Sequence, residues 1–249
     1  MDEQGALLEV VVLHPRDVAG AVDGGADRVT VVGHAEGQEP GPVGTSPEPA
    51  LVAAVCKESD APVRPVLRLN DGFSTTGGEV SRLVGLAEEY LAVGARGVVF
   101  GFLDADLEVD VEVCGHLAEQ LAGVPWTFHR GFDSALESGR AWRQVRGLPG
   151  LDAVLSAGSV LGLGVGHEEL TDRAAGDPDV AGLLMAGGGL QPEHVPWLVR
   201  AGVRQYHVGA SVRPGRSWHK AYVDAGHVRA WRTLLDDAVD RMWSARGSG

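Results

Sequence analysis

The chain has 249 residues, of which 44% are hydrophobic and 22% charged, enough apolar material for a sizeable core and far from the composition of a disordered segment. Its 34 acidic residues against 21 basic ones give a formal charge of −13 at pH 7. This excludes the basic footprint of a nucleic-acid binder and argues against docking on an anionic membrane.

Cys56 and Cys114 stand far apart with no Cys-x-x-Cys spacing, so a disulfide framework is excluded and both read as small helix-packing residues. The first residues, Met1-Asp2-Glu3-Gln4, are acidic where a secretory leader would be basic. No stretch approaches the roughly 18 uninterrupted apolar residues of a membrane span. The expectation is a cytoplasmic protein with no nucleic-acid or membrane partner, and a homo-oligomer remains open.

In chain order, short β-branched runs alternate with longer helical patterns. Strands are expected at 7–13, 28–32, 63–69, 96–103, 124–129, 152–156, 182–186 and 204–209, and helices near 16–24, 47–59, 78–93, 108–121, 134–147, 167–175, 192–201 and 227–245. Ser46 before Pro47, Asp133 before Ser134 and Gln191-Pro192-Glu193 supply helix-start signals. Gly25-Ala26, Gly94-Ala95 and Gly202-Val203 close helices directly into strands, as tight αβ loops do. Eight units of roughly 31 residues, strictly alternating and without Gly-x-Gly-x-x-Gly after the first strand, predict one α/β domain, a (β/α)8 barrel. The Gly/Pro-rich segment 33–46 falls where the second βα loop belongs and reads as a mobile loop over the mouth. Residues 246–249 read as a frayed tail.

Strand parity then sorts side chains between the barrel axis and the helix layer. Trp126 and Phe128 suit the helix side, which turns Thr127 and His129 inward. The same reasoning places Glu9, Arg68, Ser156 and His207 inward, and Gly101 on an inward position that leaves space. Buried charges must satisfy one another or a ligand. For Glu9 and Arg28, early in their strands, a structural plug and a functional role both fit. His129, Arg130, Asp133 and His207 gather at the C-terminal face, where barrels place their chemistry, and two histidines, an arginine and a carboxylate suit acid–base work on an anion. Gly187, Gly188 and Gly189 follow the seventh strand, where glycine amides can approach a phosphate. A small anionic ligand is therefore expected, with Glu9, His129, Asp133 and His207 as catalytic candidates. Arg28, Arg68, Arg130, Ser156 and the three glycines are the binding candidates. No His-x-His, His-Glu-x-x-His or cysteine pair suggests a metal site.

With these residues in view, the chain resembles the CutC family, named for copper homeostasis. The resemblance rests on Leu8-Glu9-Val10, Gly25-Ala26-Asp27-Arg28-Val29, Val98-Val99-Phe100-Gly101, Thr127-Phe128-His129-Arg130 with Phe132-Asp133, Leu155-Ser156-Ala157-Gly158, Met185-Ala186-Gly187-Gly188-Gly189 and His207. It implies a (β/α)8 barrel and a role in copper homeostasis, with copper as the implied ligand. The chain departs from the family pattern at Thr30, where an acidic residue is usual, in the loop 69–74, and at His194, where an Asn is usual. An enzyme acting on a small phosphorylated or carboxylated molecule, with His129 as general acid or base, is the alternative.

Overall fold

The computed structural model describes residues 5–34, 44–218 and 220–246. Eight parallel strands alternate with helices, as the periodicity predicts. They are β1 (Leu7–Val12), β2 (Arg28–Val31), β3 (Val63–Pro65), β4 (Val98–Phe100), β5 (Trp126–Phe128), β6 (Leu151–Ser156), β7 (Leu184–Ala186) and β8 (Gln205–Val208). Their order is β3-β2-β1-β8-β7-β6-β5-β4. The two ends of this sheet meet through the parallel bridge Val66↔Val99, flanked by Leu67 N to Val99 O (2.8 Å) and Arg96 N to Val63 O (2.9 Å), which brings the sheet round into a barrel.

The helices are α1 (Arg16–Asp23), α2 (Pro49–Glu58), α3 (Gly77–Ala92), α4 (Val111–Gln120), α5 (Ser138–Val145), α6 (Leu163–Gly176), α7 (Pro178–Leu183), α8 (Val195–Arg200) and α9 (Ala225–Arg246). Alternate strand residues build the layer beneath them: Leu8, Val10 and Val12 of β1, Val29 and Val31 of β2, and Trp126 and Phe128 of β5 pack in the core that the helices share. Parallel strands covered on one face by helices and on the other by the barrel interior are apolar on both, hence the valine-rich runs.

Three local expectations are corrected. The β6–β7 crossover holds two helices instead of one, because Asp177 caps a new helix (Asp179 N to Oδ1, 3.1 Å) and Pro178 opens it; residues 182–183 are its last turn and not the start of β7. Ser46 caps no helix, since its Oγ accepts from Arg68 N (2.8 Å). Asp133 starts no α-helix either; it lies in the 3-10 turn Arg130–Ser134, and α5 begins beyond it. Of the expected loop 33–46 only the ends are described, with Gly33 and Thr45 paired at its base; residues 35–43, and those of the expected tail at 247–249, lie outside the described residues.

Candidate functional site

A cavity of about 500 Å³ opens at the C-terminal end of the barrel. Its floor is Glu9, 1% exposed. One carboxylate oxygen accepts from Arg28 Nε, and the other lies 2.7 Å from His207 Nδ1. Strand register explains the group, because Glu9 is paired with Arg28 across β1–β2 and with His207 across β1–β8. Burial alone would raise the Glu9 carboxyl, but Arg28, with His207 and Arg64, holds it well below the usual carboxylate range. Where His207 carries a single ring proton, the charged Glu9 fixes it on Nδ1 and leaves Nε2 as the lone-pair nitrogen. Deeper in the barrel, Arg64 forks onto Asp152 (2.6 and 2.5 Å) and reaches Thr127 Oγ1 at 2.9 Å. Both readings of Glu9 therefore meet in one residue: it is paired as a plug and it faces the cavity.

The segment Phe128-His129-Arg130-Gly131-Phe132-Asp133 builds the next wall. Phe132 meets Phe128 and Trp142 edge-on (centroids 5.6 and 4.8 Å), anchoring the turn in the helix layer. His129 Nδ1 accepts from Gly131 N at 3.1 Å, so the ring proton is on Nε2, a buried donor with no partner among the described residues. A Cβ on Gly131 would stand 2.7 Å from the His129 ring, which is why only glycine fits. Burial, aided by the positive charge of Arg68, lowers the His129 pKa to about 3. His129 is neutral at physiological pH and presents a hydrogen-bond donor, a different role from the proton shuttling expected of it.

Arg130 donates Nε to Asp133 Oδ2 (2.8 Å) and Nη2 to Ser159 O (2.9 Å). Asp133 is spent on this clamp, since Oδ1 accepts from Ser156 Oγ (2.6 Å) and both oxygens accept from Ala157 N (3.2 and 3.1 Å). Burial raises the Asp133 carboxyl, while Ser156 and Arg130 oppose that rise. The Arg130 guanidinium lies against Gly188, where a Cβ would come within 2.5 Å of Nε. Gly188 also has φ +79°. A Gly188→Ala variant is therefore expected to lose about 1–3 kcal/mol in urea unfolding, from backbone strain and displacement of Arg130.

Of the expected site residues, Glu9, His129, Arg130, Gly188, Gly189 and His207 line the cavity together. Five do not. Arg28 lies beneath Glu9. Arg68 holds loops instead, donating to Gly44 O (2.8 Å), Gly72 O (3.1 Å) and Asp71 O. Asp133 stands behind Arg130. Ser156 has the opposite parity from Leu155, which does line the cavity, so it turns to the helix side and Asp133. Gly187 spends its amide on Ser156 O (3.1 Å), and Leu155 and His207 fill the space its Cβ would take. Nor does Gly101 leave space: the Phe128 ring stands 2.3 Å from where its Cβ would be. By contrast, the amides of Gly188 and Gly189 donate to no group among the described residues.

Sequence reasoning missed Gln191, Arg216 and Trp218 at the rim, and Thr30, whose buried Oγ1 has no partner among the described residues. Strand parity alone would have turned Thr30 inward, two residues beyond Arg28. The rim residues carry no such signal, because loop geometry places them.

This architecture agrees with known proteins. The CutC family profile matches residues 6–212. The chain belongs to the CutC family. A CutC family protein of Caulobacter vibrioides (strain NA1000 / CB15N) is 32% identical over 212 residues, covering 83% of this chain and 82% of that protein. A CutC family protein of Klebsiella pneumoniae (strain 342) is 29% identical over 188 residues, or 75% and 72% of the two chains. Among solved structures, a CutC protein of Streptococcus agalactiae, named for copper homeostasis, superimposes with a TM-score of 0.69 at 21% identity, covering 82% of this chain and 98% of that one. Thiamine phosphate pyrophosphorylase of Pyrococcus furiosus (TM-score 0.55, 18% identity, 96% and 98% covered) shares the fold alone. No helix among the described residues is long and apolar enough to cross a membrane.

Proposed function

We propose that the mouth of this CutC family barrel binds a small phosphorylated or carboxylated metabolite and that the Glu9–His207 pair moves a proton on it. One observation carries this reading: two buried polar atoms, Thr30 Oγ1 and His129 Nε2, lack partners among the described residues and belong to side chains that line the same cavity. A buried polar group left unpaired costs about 1–3 kcal/mol, so a ligand that supplies partners is stabilised there. The roles divide by chemistry. His207, oriented by the charged Glu9 at 2.7 Å, accepts a proton at Nε2. His129, neutral, donates Nε2–H to an oxygen where negative charge develops. Arg130 has one amino group, Nη1, with no partner among the described residues; it, the exposed Arg216 and the amides of Gly188 and Gly189 provide the anion contacts.

The expected outcome is that inorganic phosphate raises the melting temperature of the parent protein and that the rise shrinks in Arg130→Ala and in Arg216→Ala, each retaining its far-UV spectrum. Arg216 stands at the rim, so its removal leaves the buried clamp intact. Each loss corresponds to about 1.5–3 kcal/mol of ligand affinity. No shift in the parent, or a shift in both variants as large as the parent's, sinks the reading.

Copper handling, with a cytoplasmic location, is the second reading, favoured by family membership and by the name of the Streptococcus agalactiae structure. The donor set does not fit a copper site. Among the described residues no three His, Cys, Asp or Glu side chains stand close enough to hold one ion. Cys56 and Cys114 lie on α2 and α4; burial pushes the Cys114 thiol up to about 12 and raises Cys56 as well, whereas metal binding needs the thiolate. A Cys56→Ala/Cys114→Ala variant is expected to match the parent in a Cu(I) competition titration. A large loss of stoichiometric binding would show that the thiols are ligands after all.

A further inference from the structure

Above Glu9, the charged groups of the cavity are gathered on one side of it. On one half, β1 to β4 and the residues just beyond them contribute Val11, Val32, Val66 and Val99, which pack as one apolar cluster with Trp218 against it. Above Glu9, Thr30 is the one polar side chain on that half among the described residues. On the other half stand His129, Arg130, Gln191, His207 and Arg216, together with the apolar Leu155, Leu190 and Val208. Trp218 is fixed where it is. Its ring occupies the space beside Gly209, 2.4 Å from where a Cβ would be, and the buried Arg213 guanidinium lies 5.2 Å from its centre.

From this division we infer the substrate class: a phosphate or carboxylate carried on a largely hydrocarbon body, branched or aromatic, and not a polyhydroxylated sugar phosphate. The inference rests on the anion site proposed above and adds what the rest of the ligand must be. A sugar carries hydroxyls around its ring, and those turned to the four valines would lose water without gaining a partner. A hydrocarbon body of the same size is drawn to that wall by the release of water from both surfaces. Charge sets the orientation, because the anion meets Arg130 and Arg216 only when the body lies toward β1–β4. Val11, Val32, Val66 and Val99 are then specificity-determining residues, and Thr30 allows one polar substituent on that face.

The test is calorimetric titration of the parent with inorganic phosphate, phenyl phosphate and ribose 5-phosphate, repeated with Val66→Thr and Val99→Thr. Phenyl phosphate should bind roughly tenfold or more tightly than inorganic phosphate, and ribose 5-phosphate no more tightly than inorganic phosphate. Each threonine variant, close to valine in volume, should cut the phenyl advantage several-fold and leave inorganic phosphate unchanged. Equal binding of phenyl phosphate and inorganic phosphate, or preference for ribose 5-phosphate, overturns the substrate class while the anion site stands. No binding of any of the three overturns both. The comparison of ligands on the parent decides the matter even where a variant fails to fold.

Discussion

Asp17→Ala is expected to lower the stability of the barrel by about 3–5 kcal/mol, the cost of stranding a buried charge. For a chain of this size that is a fall in melting temperature of about 6–20 °C. Asp17 is fully buried, and its carboxylate receives Arg213 in a fork at 3.0 and 2.8 Å. It also accepts from the amides of Leu13 (2.8 Å), His14 (3.2 Å) and Val223 (3.0 Å). One side chain thus ties the end of β1, the start of α1, the segment after β8 and the approach to α9. Removing it leaves Arg213, 2% exposed, charged and without its counterion. Replacing both partners, as Asp17→Ala/Arg213→Met, should recover part of the loss but not all of it, because the three amides stay unpaired. A double variant as stable as the parent would show that the amide bonds are worthless. One as unstable as the sum of the single changes would show that the two residues are not coupled.

The second large effect is expected at Glu9. Glu9→Gln takes from Arg28 its hydrogen-bonded counterion deep in the barrel, leaving only Asp152 at 4.0 Å among the described residues, and should also cost about 3–5 kcal/mol. Its dependence on pH carries a definite sign. The Glu9 carboxyl is held below its ordinary value in the folded protein, so its contribution is complete above the unfolded value of about 4.3 and is lost as pH falls below that. The stability gap between parent and Glu9→Gln should therefore be flat from pH 7 to about 5. Below about pH 4.3 it should shrink by about 1.4 kcal/mol per pH unit. Urea midpoints across that range measure it, and a gap independent of pH would mean that the charged carboxylate contributes nothing to the fold. The same variant also removes the carboxylate that orients His207 in the proposed site.

The two halves of the molecule differ in how far sequence reaches. The eight-fold alternation is written in local chemistry: β-branched runs that can sit only between two apolar layers, and glycines such as Gly25, Gly94 and Gly202, with φ of +96°, +112° and +97°, that turn helices back into strands. The Phe128–Asp133 stretch is legible for the same reason, since alternation separates the anchoring Phe128 from the inward His129 within two residues. Parity fails at Ser156, because bonding to Asp133 and the phase of β6 decide its side, and phase depends on which neighbouring residue, Leu155, the barrel axis receives. It fails at Arg68 because the last ladder bonds of this run are made by Val66 and Leu67, and the Arg68 guanidinium is drawn to the loop carbonyls of Gly44, Asp71 and Gly72.

By itself, then, the amino-acid sequence determined the barrel, its single domain of alternating units, the family, and the presence of histidine and arginine at the C-terminal mouth, because each follows from local periodicity or from a contiguous motif. Only the tertiary structure decided which of those groups face one another. Glu9 meets His207, far along the chain, through the register that makes β1 and β8 neighbours. Burial and Arg68 keep His129 neutral, and Asp133 is spent as a clamp on Arg130. The apolar half of the mouth likewise exists only once β1 to β4 stand side by side, for a single valine in a strand says nothing about the wall it will share. Contacts between distant segments are set by strand register and desolvation, and neither is a property of any short stretch of chain.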